Sequence, residues 1–268
     1  MKKLISLDLY ADLGFLKKPD INEKIYITYN MLHKPCILGI LGAICGLEGF
    51  TKNNELPVYY QKLKHIPIGV KPIGKACENG NFSKTVTTYT NTIGFANADG
   101  NLIVSEQTLI KPAYRIFLLL DLENPIENML YERICKQQAE YIPYLGKNDY
   151  STWWYGKDVK DENGEMIFQG IREYNFQKFE GGEEFKINTV FIKENPLVDN
   201  VIEHKARLRR NLSFLNGKFM YFEKLPIGYN ETLYQYDYAD FAYTDWRLDK
   251  DSYLENLYKA DDLIVQLN

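Results

Sequence analysis

Few residue groupings in this sequence could do covalent or metal chemistry. The three histidines, His33, His65 and His204, are isolated, and no H-E-x-x-H pattern occurs. The four cysteines, Cys36, Cys45, Cys77 and Cys135, form no C-x-x-C pair. Zinc ribbons, disulfide frameworks and metal sites therefore have no support, and no cofactor is expected. What remains is recognition chemistry. Tyr26, Tyr29, Asn30, His33 and Lys34 crowd one short segment. They combine flat side chains that can stack on bases, an amide for base edges and a cation for phosphates. The plainer reading makes Tyr29 a half-buried strand residue and His33 a solvated turn. A second set, Lys84, Tyr89, Asn91, Phe95, Lys111 and Arg115, lies along and beside a Thr-rich stretch. A third comprises Lys147, Asn148, Trp153 and Trp154. Adjacent strand residues point to opposite faces, so one tryptophan belongs to the core and the other is free to stack or to meet a partner. The run Lys205, Arg207, Arg209 and Arg210 reads most simply as a solvated face.

The elements that must hold these residues follow from periodicity and breakers. The stretch Ile25–Phe50 organises the chain. It starts β-branched and aromatic, then opens a helix at Lys34-Pro35, where proline suits the first helical position. That helix is apolar nearly all round and is expected to be buried, with Gly49 closing it. Gly39, Gly42 and Gly46 share one face, which suits close approach of another backbone, most simply tight helix-on-sheet packing. Lys3–Ala11 alternates as a first strand, with Lys17 and Lys18 in the loop after it. Leu56–Lys64 is a short helix, and Ile66–Ile73, interrupted by two prolines, an edge strand. Thr85–Phe95 and Leu102–Ile110 flank Asp99-Gly100, a hairpin signal, and neither arm has a strong apolar face. Such a hairpin either projects into solvent or packs on a partner. Tyr114–Leu120 is continuously apolar and therefore central. Asn124-Pro125-Ile126-Glu127 starts a helix, and Tyr141–Leu145 is the next strand. The order approximates the β-α-β-β-α-β ferredoxin-like plan, with a soft boundary near residue 146. Beyond it the chain reads mostly β: an Asn163-Gly164 turn, an alternating Glu184–Lys193, strands at Phe214–Phe222, Thr232–Tyr238 and Asp240–Tyr243, and a short helix at Ser252–Lys259.

The 268 residues, 45% hydrophobic, are enough for one large domain or two small ones. No apolar run is long enough for a membrane span, and Asp8 and Asp12 interrupt any signal-peptide core, so a cytoplasmic protein is expected. The net charge of −4 argues against non-specific nucleic-acid binding, but its distribution is uneven. Residues 51–120 carry eight Lys/Arg against four Asp/Glu, whereas residues 121–200 carry nine against sixteen, so a basic face can coexist with an acidic one. The 21 tyrosines suit wet interfaces or base stacking as well as an ordinary tyrosine-rich β fold.

Five segments together resemble a known family. They are L-D-L-Y-A-D-L-G-F-L-K-K-P-D (Leu7 to Asp20), T-Y-N-M-L-H-K-P-C-I-L-G-I-L-G-A-I-C-G-L (Thr28 to Leu47), I-K-P-A-Y-R-I-F-L-L-L (Ile110 to Leu120), Y-L-G-K-N (Tyr144 to Asn148) and L-P-I-G (Leu225 to Gly228). In this order they resemble the fifth family of CRISPR-associated proteins (Cas-five), in the type I-B form, a RAMP-superfamily subunit of the Cascade interference complex. The first two segments are long enough to be specific. The resemblance implies an α+β fold: a modified ferredoxin-like RNA-binding domain over residues 1–146, with a thumb hairpin near 84–111, and a smaller β-rich region over 147–268. It implies a non-catalytic subunit that caps the 5′ handle of the CRISPR RNA (crRNA) for antiviral defence. Its expected partners are the backbone subunit (Cas-seven), the large subunit (Cas-eight) and, indirectly, target DNA, with no membrane involved. The RNA contacts expected are Lys17, Lys18, Tyr26, Tyr29, Asn30, His33, Lys34, Lys84, Tyr89, Asn91, Lys111, Arg115, Lys147, Asn148 and Trp153. One departure is the lack of a glycine-rich G-x-G loop near the C-terminus, a feature of many relatives.

Two other functions compete. Some members of this family cut precursor crRNA without metal. Attack by a 2′-hydroxyl needs a base, an acid and a cation, and Tyr29, His33 and Lys34 are the residues here that could supply them. A β-rich protein- or carbohydrate-binding module would also fit many aromatics and a low isoelectric point.

Overall fold

The computed structural model describes residues 1–19, 24–51, 55–91, 102–154, 157–160, 166–169, 171–181, 183–194, 214–215, 217–249 and 254–268. It is a mixed α+β fold, rich in strands, with three α-helices among the described residues. In chain order β1 is Lys2–Ala11, β2 Leu13–Gly14 and β3 Ile25–Tyr26; α1 is Lys34–Cys45 and α2 Val58–Leu63; β4 is Ile68–Pro72, β5 Lys84–Asn91, β6 Leu102–Ile110 and β7 Ala113–Asp121; α3 is Pro125–Cys135. The second half contributes β8 Thr152–Trp154, β9 Lys157–Lys160, β10 Met166–Gln169, β11 Ile171–Tyr174, β12 Phe176–Lys178, β13 Phe191–Glu194, β14 Phe214–Leu215, β15 Met220–Asn230, β16 Gln235–Thr244, β17 Arg247–Leu248, β18 Leu257–Ala260 and β19 Leu263–Gln266.

The central sheet runs β11-β1-β7-β4, all antiparallel, with β8 pairing the far end of β1. The continuous apolar run of β7 sits inside the sheet, where both faces are buried. On one face Ile5, Leu7, Leu9, Ile116 and Leu118 meet Ile37, Leu38, Leu41 and Ile44 of α1 and Leu130 and Ile134 of α3 in the main core. On the other face Leu4, Phe117 and Leu119 are covered by Ala260, Val265 and Leu267. The edge strand β4 is capped by the chain's last residue: Ile68 and Asn268 exchange main-chain hydrogen bonds at 2.9 and 3.0 Å. The pair β5–β6 forms a second sheet with β2 and β3, a ribbon on which Val86, Tyr89 and Ile103 are exposed. The Asp99-Gly100 and Asn163-Gly164 turn signals, Phe95 and the run from Lys205 to Arg210 lie outside the described residues.

The helix starts match their sequence signals. His33 caps α1, its Nδ1 accepting from the Cys36 amide at 3.4 Å, and Asn124 caps α3 by accepting from the Ile126 amide at 3.0 Å. Several expectations need correction. Gly46, not Gly49, closes α1, at φ +70, a left-handed conformation that favours glycine. The glycine face of α1 receives side chains rather than a backbone or sheet: a Cβ on Gly42 would lie 2.5 Å from Tyr59 Cβ, and one on Gly46 2.7 Å from Glu140 Cγ. Tyr141–Leu145 forms no strand, only a single bridge between Tyr144 and Ser151. Instead β8 and β11, from beyond residue 146, share the outer edge of β1. Asp240–Tyr243 and the last four residues of Thr232–Tyr238 belong to one strand, β16, whereas Thr232, Leu233 and Tyr234 lie in the turn before it. The described part of Ser252–Lys259, residues 254–259, is not a helix; its last residues lie in β18, held between β12 and β19.

A candidate nucleic-acid interface at the foot of the ribbon

The segment between β3 and α1 is the hub of the candidate site. Thr28 accepts the Leu16 amide at 2.9 Å, and the Tyr29 amide donates to the Leu16 carbonyl at 2.7 Å, which pins the segment to the Lys17-Lys18 loop. Tyr114 on β7 donates its hydroxyl to the Asn30 carbonyl. The segment therefore runs at the foot of the β5–β6 ribbon, and Lys84, first residue of β5, donates to Asn30 Oδ1 at 3.0 Å.

The other wall comes from the β15–β16 pair. Glu223, whose side chain is only 4% exposed, accepts three hydrogen bonds and forms an ion pair with Lys18. The Asn30 amide and Lys18 Nζ reach Oε1 at 3.1 and 3.2 Å, and the Met31 amide and Tyr221 hydroxyl reach Oε2 at 3.0 and 2.9 Å. Asn30 Nδ2 donates to the Tyr221 oxygen at 2.6 Å. Beside this carboxylate opens a cleft of about 430 Å³ lined by Lys18, Tyr29, Asn30, Tyr221, Phe222, Glu223, Lys224 and Tyr238. Lysines stand over its rings: Lys18 Nζ is 4.9 Å from the Tyr29 centroid, Lys224 Nζ 5.2 Å from that of Tyr238, and Lys193 Nζ 4.8 Å from that of Phe222. Phe222 is half exposed. Tyr29 is buried and Tyr221 and Tyr238 are half-buried, so cations, the one open face of Phe222 and an amide converge here, the groups that single-strand recognition uses. Burial, and then the neighbouring Glu223, push the Tyr221 hydroxyl well above the ordinary phenol range, so it stays a proton donor.

The sequence signals place only part of this site. Lys18, Tyr29, Asn30 and Lys84 come together as one cluster. Lys17 stays near, its ammonium 3.8 Å above the Tyr26 ring. Lys147 and Tyr89 meet through Glu106 of β6: Lys147 Nζ lies 2.7 Å from Oε2, and the Tyr89 hydroxyl donates to Oε1 at 3.0 Å. Burial pulls the Lys147 ammonium down, but Glu106 and Tyr89 hold it above its ordinary value. Lys111 and Trp153 line a separate cleft with Tyr10 and Asp12. Arg115 is engaged bidentately by Asp8, at 2.6 and 2.7 Å, which holds its pKa above the ordinary value. Asn148 is exposed on its loop, and the Asn91 side chain lies outside the described residues. Trp154 is the buried tryptophan, donating Nε1–H to the Ile134 carbonyl at 3.0 Å. Trp153 stays half-buried and, contrary to the opposite-face expectation, stacks on Trp154 at 4.5 Å.

His33 and Lys34 are each engaged within the fold. His33 is buried at its cap, edge-on to Tyr29 at 5.1 Å, and desolvation holds its imidazole down to about 3. Lys34 Nζ donates to the Asn268 carbonyl at 2.8 Å, and burial lowers its pKa to about 8. The Tyr29 hydroxyl reaches that of Tyr238 at 3.4 Å. A larger groove of about 970 Å³ follows α1 past Cys36, Gly39 and Ala43, walled by Tyr59, Tyr144 and Tyr236. The lysines among its lining residues are Lys17 and Lys147, already held by Tyr26 and Glu106.

Sequence reasoning missed Tyr221, Phe222, Glu223, Lys224 and Tyr238. The signal was present in β15, where Glu223 falls between Tyr221 and Leu225 on the inward-facing alternation of the strand. An acid at an inward position needs buried donors.

No protein-family model matches the sequence, and no curated protein matches it. Solved structures do. A crystal structure of a Cas protein matches at 15% identity over 55% of this chain and 57% of that one, with a TM-score of 0.32. This chain spans 57% and 65% of the first two solved chains it matches. A CRISPR protein from Archaeoglobus fulgidus matches at 10% identity over 98% and 97% of the two chains, with a TM-score of 0.47. A chain of a CRISPR RNA-guided surveillance complex matches at 9% identity over 94% and 93%, with a TM-score of 0.45.

Proposed function

We propose that this chain is a non-catalytic RNA-binding subunit of a type I CRISPR complex, of the Cas-five kind its sequence segments resemble. The observation that carries the reading is the convergence of Lys18, Asn30 and Lys84 with Tyr29, Tyr221 and Tyr238 around an open cleft at the foot of the β5–β6 ribbon. In this reading the sheet β8/β11-β1-β7-β4 with α1 and α3 on one face is a modified ferredoxin-like palm, and β5–β6 is the thumb. Residues 1–146 supply the thumb and the first wall of the cleft, and residues 147–268 supply the second wall. The ligand is the 5′ handle of crRNA, and the neighbours are the backbone and large subunits of a cytoplasmic type I-B complex, which brings target DNA near indirectly.

The test is a gel assay with labelled CRISPR repeat RNA in EDTA, scored for both mobility shift and cleavage. A shift without cleavage is expected, weakened at least tenfold in the Lys18→Ala, Lys84→Ala double variant, since two phosphate contacts are lost. No shift at low salt overturns the reading. Cleavage abolished by His33→Ala would replace it with the nuclease. No observation favours the nuclease: an imidazole held near 3 and tied to a helix cap is a poor general base at neutral pH.

A further inference from the structure

The four groups around Glu223 form a site in their own right. Two consecutive main-chain amides, of Asn30 and Met31, point at one spot ahead of α1, and the Lys18 ammonium and Tyr221 hydroxyl close on the same spot. Successive amides aimed together make an anion seat, and a cation and a phenol complete one suited to a phosphate oxygen pair. Both Glu223 oxygens are already doubly engaged, so this carboxylate has little capacity left to read a base edge. It fills the seat. The 430 Å³ cleft beside it is lined by Glu223 itself and gives the side chain somewhere to turn without moving the β15–β16 pair.

We infer that the Asn30–Met31 amides, Lys18 and Tyr221 are a phosphodiester-binding seat for single-stranded nucleic acid, and that Glu223 occupies it as an internal competitor until RNA displaces it. The inference rests on the RNA-binding reading above. Displacement leaves the donors in place and exchanges one anion for another. It also sets a threshold: an RNA must bring other contacts, to Lys84, Lys224 and the cleft aromatics, before its phosphate can take the seat.

Removing the competitor must therefore strengthen binding, whereas a purely structural tie would weaken it. The experiment compares wild type, Glu223→Gln and Glu223→Ala for affinity to labelled CRISPR repeat RNA. Asp240→Asn, which neutralises another acid of the β15–β16 pair, controls for overall charge. Glu223→Gln is expected to bind roughly tenfold tighter, the scale of one hydrogen bond to a charged group, and Asp240→Asn less than about twofold tighter. A second arm uses inorganic phosphate and no RNA. Phosphate, against chloride at equal ionic strength, is expected to raise the melting temperature of Glu223→Ala, to leave wild type unmoved, and to lose its effect in Lys18→Ala, Glu223→Ala. If Glu223→Ala does not fold, Glu223→Gln carries both arms. RNA binding by wild type with no gain in either variant overturns the inference and leaves the RNA-binding reading standing. No RNA binding by any form, with phosphate stabilising the variant, overturns the RNA-binding reading and leaves an anion seat. No RNA binding and no phosphate effect overturns both.

Discussion

Two buried glutamates each hold a lysine in this molecule, and they do different work. Glu106 joins Lys147 and Tyr89, three side chains that tie the ribbon to the loop after residue 146. Glu223 joins Lys18 and Tyr221, but two of its four partners are main-chain amides. A pair made only of side chains can be replaced by hydrocarbon of similar volume at little cost, because every polar group leaves together. Main-chain amides survive every substitution but proline, so the second carboxylate is needed by the backbone around it, or another anion must stand in for it. The first region is an ion pair; the second is a receptor with its own ligand.

The largest effect should come from substituting both members of each pair. Lys147→Met with Glu106→Leu is expected to stay within about 1 kcal/mol of wild type, because the exposed Tyr89 hydroxyl left behind can turn to water. Lys18→Met with Glu223→Leu is expected to lose about 3–5 kcal/mol, because two buried amides and a phenol are orphaned. Urea unfolding measures both, and equal losses would erase the distinction.

The next effect lies on the pH axis, and His33 beside Tyr29 places it in the Glu223 region. Its folded pKa of about 3 is below the ordinary 6.5, because burial disfavours the imidazolium. The unfolded chain therefore binds the proton first. Stability is fully present above pH 6.5 and is lost as pH falls from there towards 3, at up to about 1.4 kcal/mol per pH unit. His33→Asn keeps a capping acceptor and should flatten that slope. Lys147, held above its ordinary value, does not titrate in this window.

Smaller still, Tyr221→Phe should cost about 1–2 kcal/mol, since it takes a donor from a buried carboxylate. Tyr89→Phe, on the more exposed pair, should cost less than about 1 kcal/mol. Smallest in stability is exposed Lys84→Ala, within about 0.5 kcal/mol. It should nevertheless lower the salt dependence of RNA binding by about 0.7 in log–log slope, the increment for one phosphate on a single strand. A slope unchanged by Lys84→Ala would place the RNA elsewhere.

Local chemistry made half of this legible in the sequence. Pro35 and Asn124-Pro125 mark helix starts, and the unbroken apolar run of β7 marks a strand buried on both faces, because those signals act within a few residues. Pairing did not show. Tyr141–Leu145 has the composition of a strand but no ladder partner, and β1 instead divides its edge, Leu4–Leu7 to β11 and Leu9–Ala11 to β8. The residues before Ala260 suit a helix locally, yet pairing with β12 and β19 overrides that preference. The candidate site split the same way. Lys18, Tyr29 and Asn30 stand in one stretch of sequence, whereas Glu223 looks like an ordinary strand acid until Asn30, far away in the chain, is seen to donate to it.

The cover over the far face of the sheet has a consequence in time. Leu4, Phe117 and Leu119 are synthesised before Ala260, Val265 and Leu267, which seal them. More than half of the chain separates Leu119 from Leu267, and at roughly 5–20 residues per second a ribosome takes many seconds to bridge that interval. For that time the nascent sheet carries one naked apolar face and an uncapped β4 edge, both open to wrong partners. Yield on expression should accordingly depend on how fast the covering residues follow the sheet and on what shields it until they do.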